Sequence, residues 1–388
     1  MTAAAAASHP VRDMVMDAAG SGTPLRIAGR SHWMDAGRPV AASRIASLAA
    51  HSGVVDYVPG DLTITVRSGT TLREIEQITG AEGQWLPLDP HGSADGTIGA
   101  TIATGSFGPL AHGFGRARDL MLGVEFVTGD GKIVRGGGRV VKNVAGFDLV
   151  RLATGSWGTL GVISEATLRL YSLPARPATL SLSVPDGANA LAQRITSILS
   201  TPATPFAVEM VDAELAGRIG LPRRPQILIE LGGNHAAVEA QRHALSQLGG
   251  AHDVGPEVWK QFRDIEDVPP SANGSRPPVV LRISALPTRI AELWMSTHNA
   301  IGHMDGAMMH ASAGLGIVRC ILPAGTPLET IQPLTSAAAG ATIVFERLPS
   351  HMWPTLSPSV IADRLSQGMS RSFDPHNILN AGIMGPVH

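Results

Sequence analysis

The chain has 388 residues, 44% of them hydrophobic and 16% charged; about 25% charged is usual, so a disordered chain is excluded and two or more domains with real cores are expected. Lys and Arg number 30 against 32 Asp and Glu, a net charge of -2 with no basic block, which argues against a nucleic-acid partner held by phosphate neutralisation. The one cysteine, Cys320, excludes an internal disulfide framework and a four-cysteine zinc or iron–sulfur site, and it fits a reducing, cytoplasmic compartment.

The opening MTAAAAASHP has no basic n-region and reads as neither a signal nor a transit peptide. No run of about 18 apolar residues occurs, so no membrane span is predicted. Val11, Met14, Val15 and Ala18 predict a helix over 9–19 that stops at Gly20-Ser21-Gly22. A strand at Leu25-Arg26-Ile27 runs into Gly29-Arg30-Ser31-His32. Strands over 53–58 and 62–67 flank Pro59-Gly60-Asp61. Thr71 and Glu74 are spaced as a capping box, with Leu72, Ile75 and Ile78 pointing inward. A glycine-dense stretch fills 92–115. A hairpin turns at Thr128-Gly129-Asp130-Gly131, and the strand GVISEATLRLY closes the first half at Tyr171.

Pro174 and Pro177 mark a linker. Beyond it, the strands TLSLSV, FAVEMV, ILIEL, VVLRI and GIVRCIL alternate with helices near 188–199, 235–248 and 288–301. Asn234 caps the second helix and Gly249-Gly250 stops it. The pattern predicts an α+β layer, with a sheet on one side and helices on the other. A last helix near 358–370 carries Ile361, Leu365 and Met369 on one face, before the tail FDPHNILNAGIMGP.

The glycines of the first half need explaining, since each costs about 0.5–1 kcal/mol of ordering relative to alanine. A single glycine reads as a turn. The cluster 96–105, with Thr97, Ala100, Thr101, Ala103 and Thr104, reads as a backbone cradle for a phosphate or dinucleotide. No G-x-G-x-x-G opens a helix, no G-x-x-x-x-G-K-[ST] occurs, and neither H-E-x-x-H nor G-x-S-x-G is present. No metal site is predicted.

LRIAGRSHWMDAGRP, then VVDYVPGDLTITVRSGTTLREIE, QWLPLDP, GTIGATIATGSFGPLAHGFGRARDLMLGVEFVTGDGKIVRGGG and RVVKNVAGFDLVRLATGSWGTLGVISEATLRL follow one another in the first half. This order resembles the FAD-binding domain of the vanillyl-alcohol oxidase/p-cresol methylhydroxylase (PCMH-type) superfamily. KNVAGFDL, GSWGTLGVI and the ending FDPHNILNAG most resemble the FAD-binding subunit of bacterial glycolate oxidase. The likeness is close over 24–173 and looser at the ending.

The resemblance implies an α+β fold: a PCMH-type FAD-binding domain of two α+β subdomains over 1–175, a cap with an antiparallel sheet over 176–345, and a segment 346–388 that returns to the FAD domain. It implies non-covalent FAD. Ala28, Gly29, Arg30, Ser31, His32 and Trp33 would wrap the pyrophosphate, although relatives often carry smaller residues than Arg30 and Trp33. Pro87, Leu88 and Asp89 would lie along the flavin. Gly96, Thr97, Ile98, Gly99 and Ala100 would form the second phosphate loop, and Thr104 and Gly105 would continue it. Arg116 and Asp119 match an R-x-R-D motif, in which Arg118-Asp119 also reads as a structural ion pair. Lys142, Asn143, Gly146 and Asp148 match KNVAGFD. Gly158 and Gly161 turn the chain so that Val162 and Ile163 meet the adenine, and Asn380 would return to the isoalloxazine edge.

No catalytic residue is assigned. His298, His303 and His310 lack metal-ligand spacing, have Asp305 as their one carboxylate neighbour in sequence, and read as ordinary cap residues. The implied function is the FAD-binding subunit of a complex that oxidises glycolate or D-lactate to the 2-oxo acid. Its partners would be a large FAD-containing catalytic subunit and an iron–sulfur subunit, and contact with the membrane would come only through them. A self-sufficient FAD dehydrogenase and an assembly subunit that has lost flavin remain alternatives.

Overall fold

The structure is a computed structural model that describes residues 9–138, 147–266, 278–338, 340–357 and 363–385. The N-terminal helix Pro10–Ser21 buries Val11, Val15 and Ala18 and ends at Gly22, whose φ of 62° is left-handed. It packs on a parallel pair, β1 (Leu25–Ala28) and β2 (Arg44–Ser47). β3 (Val54–Val58) and β4 (Thr63–Arg67) follow. The helix Leu72–Gly80 carries the expected box: Thr71 Oγ1 accepts from Glu74 N–H at 3.0 Å, and Thr71 N–H donates to Glu74 Oε2 at 2.8 Å.

A short strand β5 (Gln84–Trp85) precedes the hairpin of β6 (Met121–Val127) and β7 (Ile133–Gly137). β8 (Val162–Arg169) then enters the sheet, and β9 (Tyr171–Ser172) pairs with β5. Strands β3, β4, β8, β6 and β7 lie in that order in an antiparallel sheet. Its core joins Ile64, Val66 and Leu168 to Ile75 of one helix and to Ile98 and Ile102 of the helix Ile98–Thr104. Full burial of each such side chain contributes about 1.5–3 kcal/mol.

The second half forms an eight-stranded antiparallel sheet. Its strands are β10 (Ala178–Ser183), β11 (Ala207–Val211), β12 (Gln226–Leu231), β13 (His252–Val254), β14 (Val279–Ser284), β15 (Met308–Ser312), β16 (Ile317–Leu322) and β17 (Thr342–Arg347). They run β13-β10-β12-β11-β15-β16-β14-β17 across the sheet. Strand alternation sorts the faces: Ile227, Ile229 and Leu231 join one core, while Leu228 joins another.

The first face packs under the helices Ala188–Leu199, His235–Ser246, Ile290–Ile301 and Leu328–Ala337. The second is not bare, which corrects the one-sided layer expected from the sequence. Part of it is covered by the helices Ala213–Arg218 and Glu257–Asp264, through Leu215, Val258 and Phe262. The rest of that face is polar: Glu209, His310, Ser312, Arg319 and Arg282 stand in register across four strands.

The last helix also differs from expectation. It runs Arg364–Phe373 with no buried residue, and Leu365 is 76% exposed. Ile361 lies outside the described residues. Beyond this helix the tail buries Ile378 and Leu379 beside Leu25, and Leu379 bridges Leu25 in parallel register.

Candidate functional site

A cavity open to solvent lies between the first sheet, the loop after β1 and the tail. Four segments wall it. They are the loop after β1, the segment 96–104, the turn before β8, and the tail at Asn380 and Ile383.

The loop after β1 is held close to the second wall. A Cβ on Gly29 would stand 2.2 Å from Thr97 Oγ1. Ser31 sits at φ 64°, a conformation that side chains disfavour. Among the described residues, the backbone N–H groups of Arg30, Ser31, His32 and Trp33 donate no hydrogen bond within the protein. Such successive free donors form a concave anion site.

Thr97 caps the helix Ile98–Thr104, and Gly99 presses it onto β4's end, where a Cβ would meet the Ser68 backbone oxygen at 2.8 Å. The turn before β8 docks on the other end of this helix. Gly155 N–H donates to Ile102 O, and Trp157 N–H to Ala103 O at 2.7 Å. Trp157 and Gly158 are both left-handed, with φ 54° and 70°.

Asn380 ties three walls together. Its Oδ1 accepts from Ile27 N–H at 2.8 Å, its Nδ2 donates to Trp157 O at 2.7 Å, and its own N–H donates to Leu25 O. It too is left-handed, at φ 47°. Ser31, Trp157 and Asn380, three non-glycine residues in a costly conformation, thus converge on one cavity, which is where strain tends to mark function.

Of the residues predicted from sequence, Ala28, Gly29, Arg30, Ser31, His32, Trp33, Gly96, Thr97, Gly99, Ala100, Thr104, Gly158, Gly161, Val162, Ile163 and Asn380 line this cavity. Others do not, and each has a structural reason. Ile98 is fully buried in the core. Pro87 and Leu88 precede the lining residue Pro90 without reaching the cavity. Asp89 is turned inward: both carboxylate oxygens accept from Leu110 N–H at 3.2 Å, and burial pushes its pKa well up. Asp119 accepts from Arg116 N–H at 2.9 Å and lies 3.7 Å from Arg118 Nε. Gly105 and Arg116 line a second cavity instead.

Arg30 is already paired, its Nη2 3.1 Å from Glu74 Oε1. Asn380 spends both amide groups on the protein, so it braces the cavity rather than presenting a free group to a ring edge. Asp148 caps the helix Leu149–Ala153. Lys142, Asn143 and Gly146 lie outside the described residues.

Sequence reasoning missed His91. It lines the cavity, is buried, and has its ring centroid 5.0 Å from that of His310 on β15. His310 Nδ1 is 3.1 Å from Glu209 Oε2, and the Ser312 hydroxyl donates to the other Glu209 oxygen. The expectation that His310 has no carboxylate beyond Asp305 is therefore corrected: its partner lies 101 residues upstream. His91 Nδ1 and His310 Nε2 are buried with no hydrogen-bond partner among the described residues. Burial, with the Arg319 charge nearby, holds the His91 pKa well below the ordinary histidine value, so its ring is neutral.

Free backbone donors and glycine contacts too close for a Cβ fit a nucleotide cofactor bound through its diphosphate. These features, on paired α+β sheets, define a flavin-nucleotide-binding protein.

A family model described as an FAD binding domain matches residues 2–137. The chain is 35% identical over 259 residues to the glycolate oxidase subunit GlcE of Escherichia coli, covering 66% of this chain and 68% of that one. It is 28% identical to the glycolate oxidase subunit GlcD of Bacillus subtilis over 84% of this chain and 75% of the relative. It is 26% identical to the D-2-hydroxyglutarate dehydrogenase of Xanthomonas citri, over 89% and 80%. In fold it matches alkyldihydroxyacetonephosphate synthase with a TM-score of 0.68 at 15% identity, over 95% of this chain and 74% of that one. The chain belongs to the family of the glycolate oxidase subunits. It is an FAD-dependent oxidoreductase.

Proposed function

We propose that the chain is an FAD-binding subunit of a complex that oxidises glycolate or D-lactate to the 2-oxo acid. The supporting observation is the cavity itself, whose free N–H groups from Arg30 to Trp33 suit the FAD diphosphate. With a net charge of -2, the chain relies on backbone dipoles more than on lysine or arginine there. FAD supplies the acceptor for two electrons as the 2-hydroxy acid becomes a 2-oxo acid.

The residues divide the remaining work. Gly29 and Gly99 hold the walls at backbone distance. Ile27, Val162 and Ile163 give an apolar surface for the nucleotide, and Asn380 locks the tail across the opening. In this reading the chain divides into an FAD-binding domain over 1–175, a cap over 176–345 and a returning segment over 346–388, and the first and last of these wall the cavity.

The partners in this reading are a large FAD-containing catalytic subunit and an iron–sulfur subunit, since Cys320 alone cannot hold a cluster. The complex works in the cytoplasm, at the inner face of the plasma membrane through those partners. Among the described residues, no helix is long and apolar enough to cross a membrane.

A second reading, a dehydrogenase active without partners, is favoured by the unpartnered nitrogens of His91 and His310 beside the cavity. One experiment separates the readings. The chain purified alone should be yellow and should release its flavin on acid precipitation, as non-covalent FAD requires. Glycolate or D-lactate should leave its absorbance near 450 nm unchanged until the partner subunits are added. Bleaching of the lone chain selects the second reading. A protein that stays colourless after FAD addition sinks both.

A further inference from the structure

Beside the flavin cavity lies a second one of quite different chemistry. It is open to solvent and shares Thr104, Trp157 and Ile383 with the first. Arg38, Arg116, Arg118, Arg151 and Arg282 line it, and among the described residues no Asp or Glu does. These arginines come from both halves of the chain: Arg282 stands on β14 of the large sheet, and the others on the FAD side.

Three of them have carboxylate partners. Arg118 is 3.7 Å from Asp119, Arg151 is 3.1 Å from Asp148, and Arg282 is 3.4 Å from Glu346. Glu346 is shared, since Arg319 holds its other oxygen at 2.5 Å. Arg38 donates to the Ser357 carbonyl and lies over the Trp353 ring. Arg116 makes no ion pair among the described residues. Its guanidinium lies 4.3 Å from the centroid of Phe107, and that of Arg282 lies 5.3 Å from the same centroid. Two like charges therefore share one buried ring. Burial, then Arg282 and Arg118, lower the Arg116 pKa.

We propose that this cavity binds a small dicarboxylate, separately from the flavin. Among the described residues, Arg38 and Arg116 are the two of these cations without a protein carboxylate, and guanidinium suits a carboxylate because its planar fork donates two parallel hydrogen bonds. Trp157, Phe345 and Trp353 add flat apolar walls that a short carbon skeleton can cover. Inorganic phosphate has no such skeleton, and a monocarboxylate leaves one guanidinium unmatched. The site makes no use of the backbone donors that suit the FAD diphosphate, so it stands whether or not the chain is catalytic alone.

The test uses the full chain loaded with FAD, at constant ionic strength. Succinate, inorganic phosphate and acetate are titrated by calorimetry and by tryptophan fluorescence, which Trp157 and Trp353 should report. Succinate should bind one to one and at least tenfold more tightly than acetate or phosphate. Arg116→Gln should weaken succinate at least tenfold and leave flavin absorbance unaltered. If that variant sheds its flavin, Arg38→Gln replaces it, and the same tenfold loss is required. Equal binding of succinate and acetate overturns the proposal. So does tighter binding of phosphate, or undiminished succinate binding in the variant.

Discussion

Gly29 has no space for even a methyl group. Its Cβ would meet three atoms of Thr97 within 3.2 Å, and Thr97 is a stiff β-branched residue already committed to a helix cap. Gly29→Ala should therefore lower FAD affinity at least tenfold in a fluorescence titration, with the far-ultraviolet dichroism of the fold retained. Asn380→Ala removes the partners of Ile27 N–H and Trp157 O; leaving such groups unmade costs about 1–3 kcal/mol each. Urea unfolding should show a loss of about 2–6 kcal/mol, accompanied by weaker flavin retention. Glu230 on β12 offers a pH test: burial raises its pKa from 4.5 to about 7. The folded state then binds more protons than the unfolded one between these values, so stability falls as pH rises through that window. Glu230→Gln should be more stable than the parent at pH 8 by up to about 3 kcal/mol, less what residual solvent contact screens, and equal to it near pH 4. Thermal melts at the two pH values decide it.

At the scale of elements, the legible parts were those with a complete local signal. The helix Pro10–Ser21 shows its stripe and its glycine stop, and the box at Thr71 and Glu74 forms as spaced. The hairpin of β6 and β7 follows from its Asp-Gly turn. Strands such as β2, four residues with one buried, carry too little alternation to read. The helix Glu257–Asp264 buries only Val258 and Phe262, so the sheet's second cover was invisible until the strands were assembled. The glycine contacts of the cradle were legible as composition. Glu209 and His310 were not, because register between strands far apart in sequence creates that pair. Element packing also gives a prediction at the N-terminus. Glu125 on β6 accepts from Ser164, pairs with Arg135, and lies 2.9 Å from His9 ahead of the first helix. Burial alone would raise its pKa, but His9, Ser164 and Arg135 together hold it below the ordinary value. Its stabilising effect is present above the ordinary glutamate range and fades as pH falls through the depressed value. Glu125→Gln should destabilise the chain at pH 7 and bring exchange protection of residues 10–21 down first, as hydrogen exchange would show; unaltered protection there refutes the linkage.

At the scale of the molecule, the larger sheet meets the segment 85–116 of the first half through a junction that is part apolar, at Phe107, Ala111 and Ile317 and at the stacked rings of Trp85, Phe114 and Phe206, and part polar. The larger sheet buries one face under four helices, yet turns Glu209, His310, Arg319 and Arg282 toward residues 89–116 of the first half. A purely structural junction is better served by hydrocarbon, because buried charge costs desolvation unless fully paired. Arg319 is fully paired, by two bonds to Glu266 and one contact to Glu346. His91 and Arg116 are not, and both border cavities. The junction thus concentrates its unmet polar groups where a ligand can meet them. Shortening the chain after Phe373 should remove the tail wall, giving a protein that keeps its β-sheet signal but elutes without colour.

Asn380 leaves the ribosome 223 residues after Trp157 and 353 after Ile27, the two groups it joins. A growing polypeptide therefore has no finished pouch to offer until Asn380 has been made, long after the two walls it clamps.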